Sequence, residues 1–148
     1  GSGRRRKSIR DVEISSMITV LFQTESHFPV DRKKIKKAIE AALVGQVHRD
    51  AEVSVSVVGD RRMRGLNKKY RNLDKTTDVL SFGLNDPTAE IPAEFVEAPD
   101  DVLRLGDIVV SFPQAVTEAR EENTLVDEQI VTLVLHGLDH LLGKHHPE

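Results

Sequence analysis

The sequence predicts an α+β fold: a single domain with a small mixed β-sheet packed with helices. Three observations carry this. The 148 residues fit one domain, at roughly 100–200 residues per domain, and can bury a core. Segments that alternate with period two exchange with segments of helical spacing, in the order β-α-β-α-β-loop-β-α-α. No internal repeat or low-complexity tract breaks that order.

Residues 1–16, GSGRRRKSIRDVEISS, read as a tag remnant, because the apolar pattern starts only after Met17. The expected domain is therefore 17–148. Ile18 to Thr24 alternates and is β-rich, a strand. Val30 to Val47 carries Ile35, Ala38, Ile39, Ala42 and Leu43 at helical spacing, with Asp31 as N-cap and Gly45 near the stop. Val53, Val55 and Val57 alternate with Ser54, Ser56 and Val58, a second strand. Asp60 is placed to cap a short helix through Tyr70, with Met63, Leu66 and Asn67 near one face. Thr77 to Phe82 reads as a short strand. Gly83 to Leu103, rich in Pro, Asp and Glu, reads as a long acidic loop, a length often tied to function. Ile108 to Phe112 is another strand, Pro113 suits a first helical position, and that helix runs to about Glu122. Leu125 to Leu142 is a longer, strongly apolar helix, expected to be central.

Composition narrows the function. There is no cysteine, which excludes a disulfide framework, a thiolate metal site and thiol redox chemistry. Any metal must be held by His, Asp or Glu. Hydrophobic residues at 39% and charged ones at 30% are ordinary for a soluble globular chain. No apolar run approaches the roughly 18 residues of a membrane span, and no apolar segment of a signal peptide follows the basic start. A cytoplasmic enzyme or binding protein is expected. Charge is uneven: residues 1–75 hold 18 Lys+Arg against 9 Asp+Glu, and residues 76–148 hold 3 against 15. Such asymmetry suits a polyanion-binding face beside an acidic remainder. Exposed helices that simply carry charge would give it too.

The sharpest signal lies at the end of the chain, His136-Gly137-Leu138-Asp139-His140-Leu141-Leu142-Gly143-Lys144-His145-His146. Positions i and i+4 share a helix face, so His136 and His140 can meet one metal ion. Gly143 can end the helix in a left-handed turn and let the chain swing His146 back. The spacing H-x3-H-x2-G-x2-H is that of metzincin zinc proteases, which makes this a zincin-like metal-site helix. Three imidazoles with an open fourth position are the arrangement of a catalytic zinc. His145 is a rival third ligand, while His27 and His48 stand in separate segments with no partner visible in sequence. Peptide hydrolysis does not fit, because zincins need Glu directly after the first His and here that place is Gly137.

Three motifs in order carry a resemblance to a known family. HGLDHLLGKHH at 136–146 resembles the signature HGxLHLxGYDH. Leu66-Asn67 through Tyr70-Arg71, Asp74 and Thr77-Asp78-Val79-Leu80-Ser81-Phe82 match LNxxYRxxDxxTDVLSF. Gly106 to Ser111 matches the GDIxIS strand. Together they make the sequence similar to the YbeY family of bacterial endoribonucleases, over about Met17 to His146. The resemblance implies one Zn²⁺ held by His136, His140 and His146, and a functionally important Arg71. It implies a single-stranded RNA substrate, maturation of small-subunit ribosomal RNA at its 3′ end, and ribosome quality control. Asp139 stands where the family has an apolar residue, Lys144 replaces Tyr and His145 replaces Asp. Family members usually continue into an acidic helix past the third histidine.

Phosphodiester cleavage needs a nucleophile, charge stabilisation at phosphorus and a protonated leaving oxygen. Zinc can lower the pKa of bound water to about 7 or polarise a phosphoryl oxygen. Arg71 can meet phosphate bidentately. With His136 and His140 it forms the expected catalytic set, and Asp139 is a further candidate to orient a histidine or activate water. Water and the RNA 2′-hydroxyl both satisfy the need for a nucleophile. Arg61, Arg62, Arg64, Lys68, Lys69 and Arg71 place six basic residues in eleven beside the second motif, a candidate RNA-phosphate surface. Arg32, Lys33, Lys34, Lys36 and Lys37 form a second run that equally suits a solvated helix face. Aromatics are only 4%, so base-stacking platforms are scarce and Tyr70 and Phe82 are the candidates. Two other classes fit part of the pattern: a non-catalytic ribosome-associated module with structural zinc, and a zincin-like metal hydrolase or protease. A closed structural site would lack the exchangeable water of a catalytic one.

Overall fold

The computed structural model describes residues 17–25, 28–83 and 102–143. The expected tag remnant, most of the expected acidic loop, His27, His145 and His146 lie outside the described residues. Among those described, the elements run β1 (Ile18–Thr24), α1 (Arg32–Leu43), β2 (Ala51–Val58), α2 (Asp60–Arg71), β3 (Val79–Gly83), β4 (Leu103–Ser111), α3 (Phe112–Glu122) and α4 (Val126–Leu141). They build one mixed sheet in the order β1-β2-β4-β3. β1, β2 and β4 are parallel, and β3 closes one edge antiparallel to β4.

Alternation sorts the side chains onto two faces. Val53 and Val55 of β2, with Ile108 and Val110 of β4, meet Ile35, Ile39 and Leu43 of α1 and Ile130, Leu133, Val134 and Leu138 of α4. That is the main core. On the other face Met63 of α2 packs on Val58, Leu80, Phe82 and Val109, with Leu66 and Tyr70 beside them. The long apolar helix is thus central, as expected. No described helix is long and apolar enough to cross a membrane.

Several local expectations need correction. Asp31 does cap α1, accepting from the Lys34 backbone N–H at 3.1 Å. Asp60 does not cap α2: Gly59 holds the N-cap position and Asp60 is the first helical residue. Its carboxylate faces tertiary partners instead, accepting at Oδ1 from Thr76 Oγ1 (3.0 Å), Ser111 Oγ (2.8 Å) and Gln114 Nε2 (3.3 Å). β4 starts at Leu103, not Ile108. Its register against β2 shifts between Glu52 and Val53, where Val53 pairs with Gly106 and Leu105 is passed over. Gly106 sits there at φ +135°, and a Cβ would lie 2.2 Å from the Phe82 carbonyl oxygen. A bulge that only glycine fits breaks the alternation that sequence reading relies on. Pro113 follows Phe112 as the second residue of α3, whose N-cap is Ser111.

Candidate active site

A cavity of about 210 Å³ opens where α4 crosses the edge strand β3. It is lined by Arg71 from the end of α2, Asp78 to Ser81, and His136, Gly137 and His140 of α4. His136 and His140 are exposed, and their ring centroids stand 5.4 Å apart. That separation lets nitrogens from both rings face one ion. α4 ends at Leu141, and Gly143 adopts φ +78°, the expected left-handed turn. Among the described residues no group of three His, Asp or Glu is gathered to hold a metal. The described chain therefore supplies two imidazoles, donors of a type that suits zinc.

Gly137 explains the zincin mismatch. It is buried against the sheet, and a Cβ would come 2.9 Å from Ile108 Cγ2. The position after the first histidine points into the core, so a glutamate base has no room there.

Arg71 is fixed rather than splayed into solvent. Its Nη2 donates to the Ser81 carbonyl at 2.9 Å and its Nη1 to the Tyr70 carbonyl at 3.4 Å. Its guanidinium lies 4.8 Å over the Phe82 ring. Asn72 follows in the left-handed region at φ 60° and closes α2 by donating its N–H to the Asn67 and Lys68 carbonyls. The chain then returns toward β3 along a braced path. The buried Asn67 donates to the Lys75 carbonyl at 2.9 Å, and Thr76 is tied to Asp60 at 3.0 Å. These contacts carry a cation from one face of the sheet to a cavity at its edge.

Asp78 is the acidic residue among those lining this cavity, and its place in the second motif carries no role of its own. The available signal is its place between Thr77 and the strand in the second motif. Its carbonyl accepts from Ser111 N–H at 2.9 Å. Its side chain bonds Glu118, whose carboxyl is pushed up to about 7, first by burial and then by that bond to Asp78. Gln129 Nε2 donates to Glu118 Oε1 at 2.9 Å and opposes the rise. Asp139 is exposed and does not line the cavity.

Of the basic run, only Arg71 lines this cavity with the histidines. Arg61, Arg62, Arg64, Lys68 and Lys69 are exposed on α2, which covers the opposite face. Arg64 pairs with Asp74 at 2.7 Å, and Lys69 lies 5.1 Å over the Tyr70 ring. Phe82 is buried, edge-to-face with Tyr70 at 5.2 Å. The run on α1 is largely exposed, with Arg32 over Phe22 at 4.9 Å. His48 is exposed and lies apart from this cavity.

Comparison with known proteins gives the family of the chain. The family model described as Endoribonuclease YbeY matches residues 21–148. A protein named Endoribonuclease YbeY from Dehalococcoides mccartyi is 32% identical over 142 residues, 94% of this chain and 81% of that protein. One from Desulforamulus reducens is 40% identical over 115 residues, covering 77% and 72%. The solution structure of TM1509 from Thermotoga maritima superposes with a TM-score of 0.54 at 27% identity, covering 88% of this chain and 75% of that one. A match running from β1 through the histidine helix spans every element that builds the cavity, and the chain belongs to the endoribonuclease YbeY family.

Proposed function

We propose that this chain is a zinc-dependent endoribonuclease that cuts single-stranded RNA in the cytoplasm, acting in 3′-end maturation of small-subunit ribosomal RNA and in ribosome quality control. The observation that carries the reading is one cavity shared by His136, His140, Arg71 and Asp78. Arg71, the two histidines and Asp78 come from α2, α4 and the approach to β3, and their shared lining supports the reading.

In this reading His136 and His140 would hold the ion, with His146 as third ligand. A bound Zn²⁺ would supply Lewis acidity at the phosphodiester. Arg71 neutralises charge that builds on the phosphate, and its carbonyl anchors fix it before substrate arrives, which is the source of such stabilisation. Asp78 presents a carboxylate that can accept a proton or orient an imidazole. The exposed cations of α2 draw the RNA backbone in a salt-dependent way.

The test uses labelled single-stranded and duplex RNA. Wild-type chain is stripped with a chelator, dialysed and returned to one equivalent of Zn²⁺. Cleavage should vanish on stripping, return with zinc and favour the single strand. Cleavage that survives complete stripping, or that never appears with zinc bound, defeats the reading.

A further inference from the structure

A second and larger cavity, about 330 Å³, lies on the opposite face of the sheet. We propose that it is a subsite for a guanine base of the RNA, placed one step from the scissile phosphate. The inference rests on the RNA-cutting reading above and adds a specificity pocket to it.

The size suits a small ligand. Pockets that hold one run from about 300 Å³ upward, and a nucleobase fills the lower end of that range. Among the described residues α2 packs on part of this face, and the cavity lies beside it. Its wall on the sheet side is polar: Gln23 of β1, Ser54 and Ser56 of β2, and Asp107 of β4. Its wall toward β3 is aromatic, from Tyr70 and Phe82. A flat π-surface beside hydrogen-bonding groups is how proteins read unstacked RNA bases.

The polar wall selects the kind of base. Asp107 is half-buried and bonded to Ser54, and burial pushes its carboxyl up while that bond opposes the rise. Among the described residues it has no cationic partner within ion-pair distance. A carboxylate with one hydroxyl partner keeps lone pairs for more donors. Gln23 Nε2 already donates to Ser56 Oγ at 3.3 Å, which leaves its amide oxygen as an acceptor. The wall therefore wants N–H groups from the ligand. Guanine presents two adjacent ones, N1–H and N2–H, matched to the fork of a carboxylate. Uracil offers one, flanked by acceptors. The exposed Arg62 also lines the cavity and suits the phosphate of the same nucleotide.

The two cavities share a partition. Tyr70 and Phe82 line the larger one, while their chain neighbours Arg71 and Ser81 line the smaller. Arg71 itself lies over the Phe82 ring. A strand that rounds the β3 edge can seat its phosphate at Arg71 and the adjacent base against Tyr70.

The experiment has two arms. In the first, ¹⁵N-labelled chain is titrated with each of the four nucleoside 5′-monophosphates. Guanosine monophosphate should move the amides of Ser54, Ser56 and Asp107 most, and Asp107→Asn should weaken it by about 5–150-fold, the discrimination of one bidentate base contact. In the second, cleavage is mapped on RNAs that differ at the nucleotides flanking each cut. Wild type should favour guanine at one flanking position, and Asp107→Asn should lose that preference while still cutting. Equal shifts for all four nucleotides, or shifts elsewhere, overturn the subsite, and the wild-type titration decides this even if Asp107→Asn does not fold. Guanine-selective binding in a chain that cuts no RNA supports the subsite and defeats the nuclease reading. Cleavage with no flanking preference does the reverse.

Discussion

Gly137→Ala tests how tightly the histidine helix is pressed on the sheet. The new Cβ would sit 2.9 Å from Ile108 Cγ2, 3.4 Å from Ile108 Cγ1 and 3.5 Å from Val79 Cγ2. Ile108 is fully buried at 0% exposure, and Cγ2 hangs from its branched carbon, so it cannot swing aside alone. Overpacking of this kind costs about 1–3 kcal/mol. Alanine returns about 0.8–1.0 kcal/mol of helix propensity. The net is a loss of up to about 2 kcal/mol, which lowers the melting temperature by up to about 8 °C for a domain of this size. Gly65→Ala is the control, because Gly65 lies in α2 with nothing within 4 Å of its added Cβ. It should stabilise by about 0.5–1 kcal/mol. Thermal and urea unfolding of both variants measure the contrast. Zinc affinity should fall only for Gly137→Ala, because relief of the clash tilts His136 and His140 away from a common point. A Gly137→Ala chain as stable as Gly65→Ala would refute the close packing of α4 on Ile108.

Two further outcomes follow from the polar scaffold. Asp60→Ala removes the acceptor shared by Thr76, Ser111 and Gln114. It should cost about 1–3 kcal/mol in urea unfolding, since Ser111 is fully buried. Glu118→Gln tests the raised carboxyl. Folded Glu118 sits at about 7 against an ordinary 4.5, so between those values the folded state holds the proton more tightly and wild-type stability declines as pH rises through that window. Glutamine keeps an acceptor for Gln129 and a donor for Asp78, so urea midpoints at pH 5 to 8 should show a flatter decline in the variant. A decline of unchanged slope would mean that Glu118 does not carry it.

What was legible in the sequence was local. The i, i+4 histidines and Gly143 specify one helix face and its end without help from elsewhere, and α4 follows that pattern. Valine alternation likewise fixes β2. What was not legible is tertiary. Asp60 looks like a cap because Ser111 and Gln114, its partners, lie some fifty residues away in sequence. The bulge at Gly106 hides the first half of β4, because one extra residue inverts the inside–outside order. Asp78 and Asp107 sit in the second and third motifs as ordinary acids. Only the crossing of α4 over β3, and the packing of α2 on the outer face, show which cavity each one lines. The basic run reads as one surface, yet Arg71 alone lines the cavity of the histidines, because it is the last helical residue and reaches the Ser81 carbonyl.

The central claim is that imidazole-held metal and arginine act together on RNA. Zinc-loaded wild type, His140→Ala and Arg71→Ala, purified in parallel, should be compared on one labelled single-stranded RNA. Wild type should cut, His140→Ala should lose both cutting and zinc, and Arg71→Ala should drop by about 10²–10³-fold with zinc retained, the scale of one transition-state donor. Equal cutting by all three would assign the activity to a contaminant and contradict the account, as would a folded, zinc-loaded wild type that leaves the RNA intact.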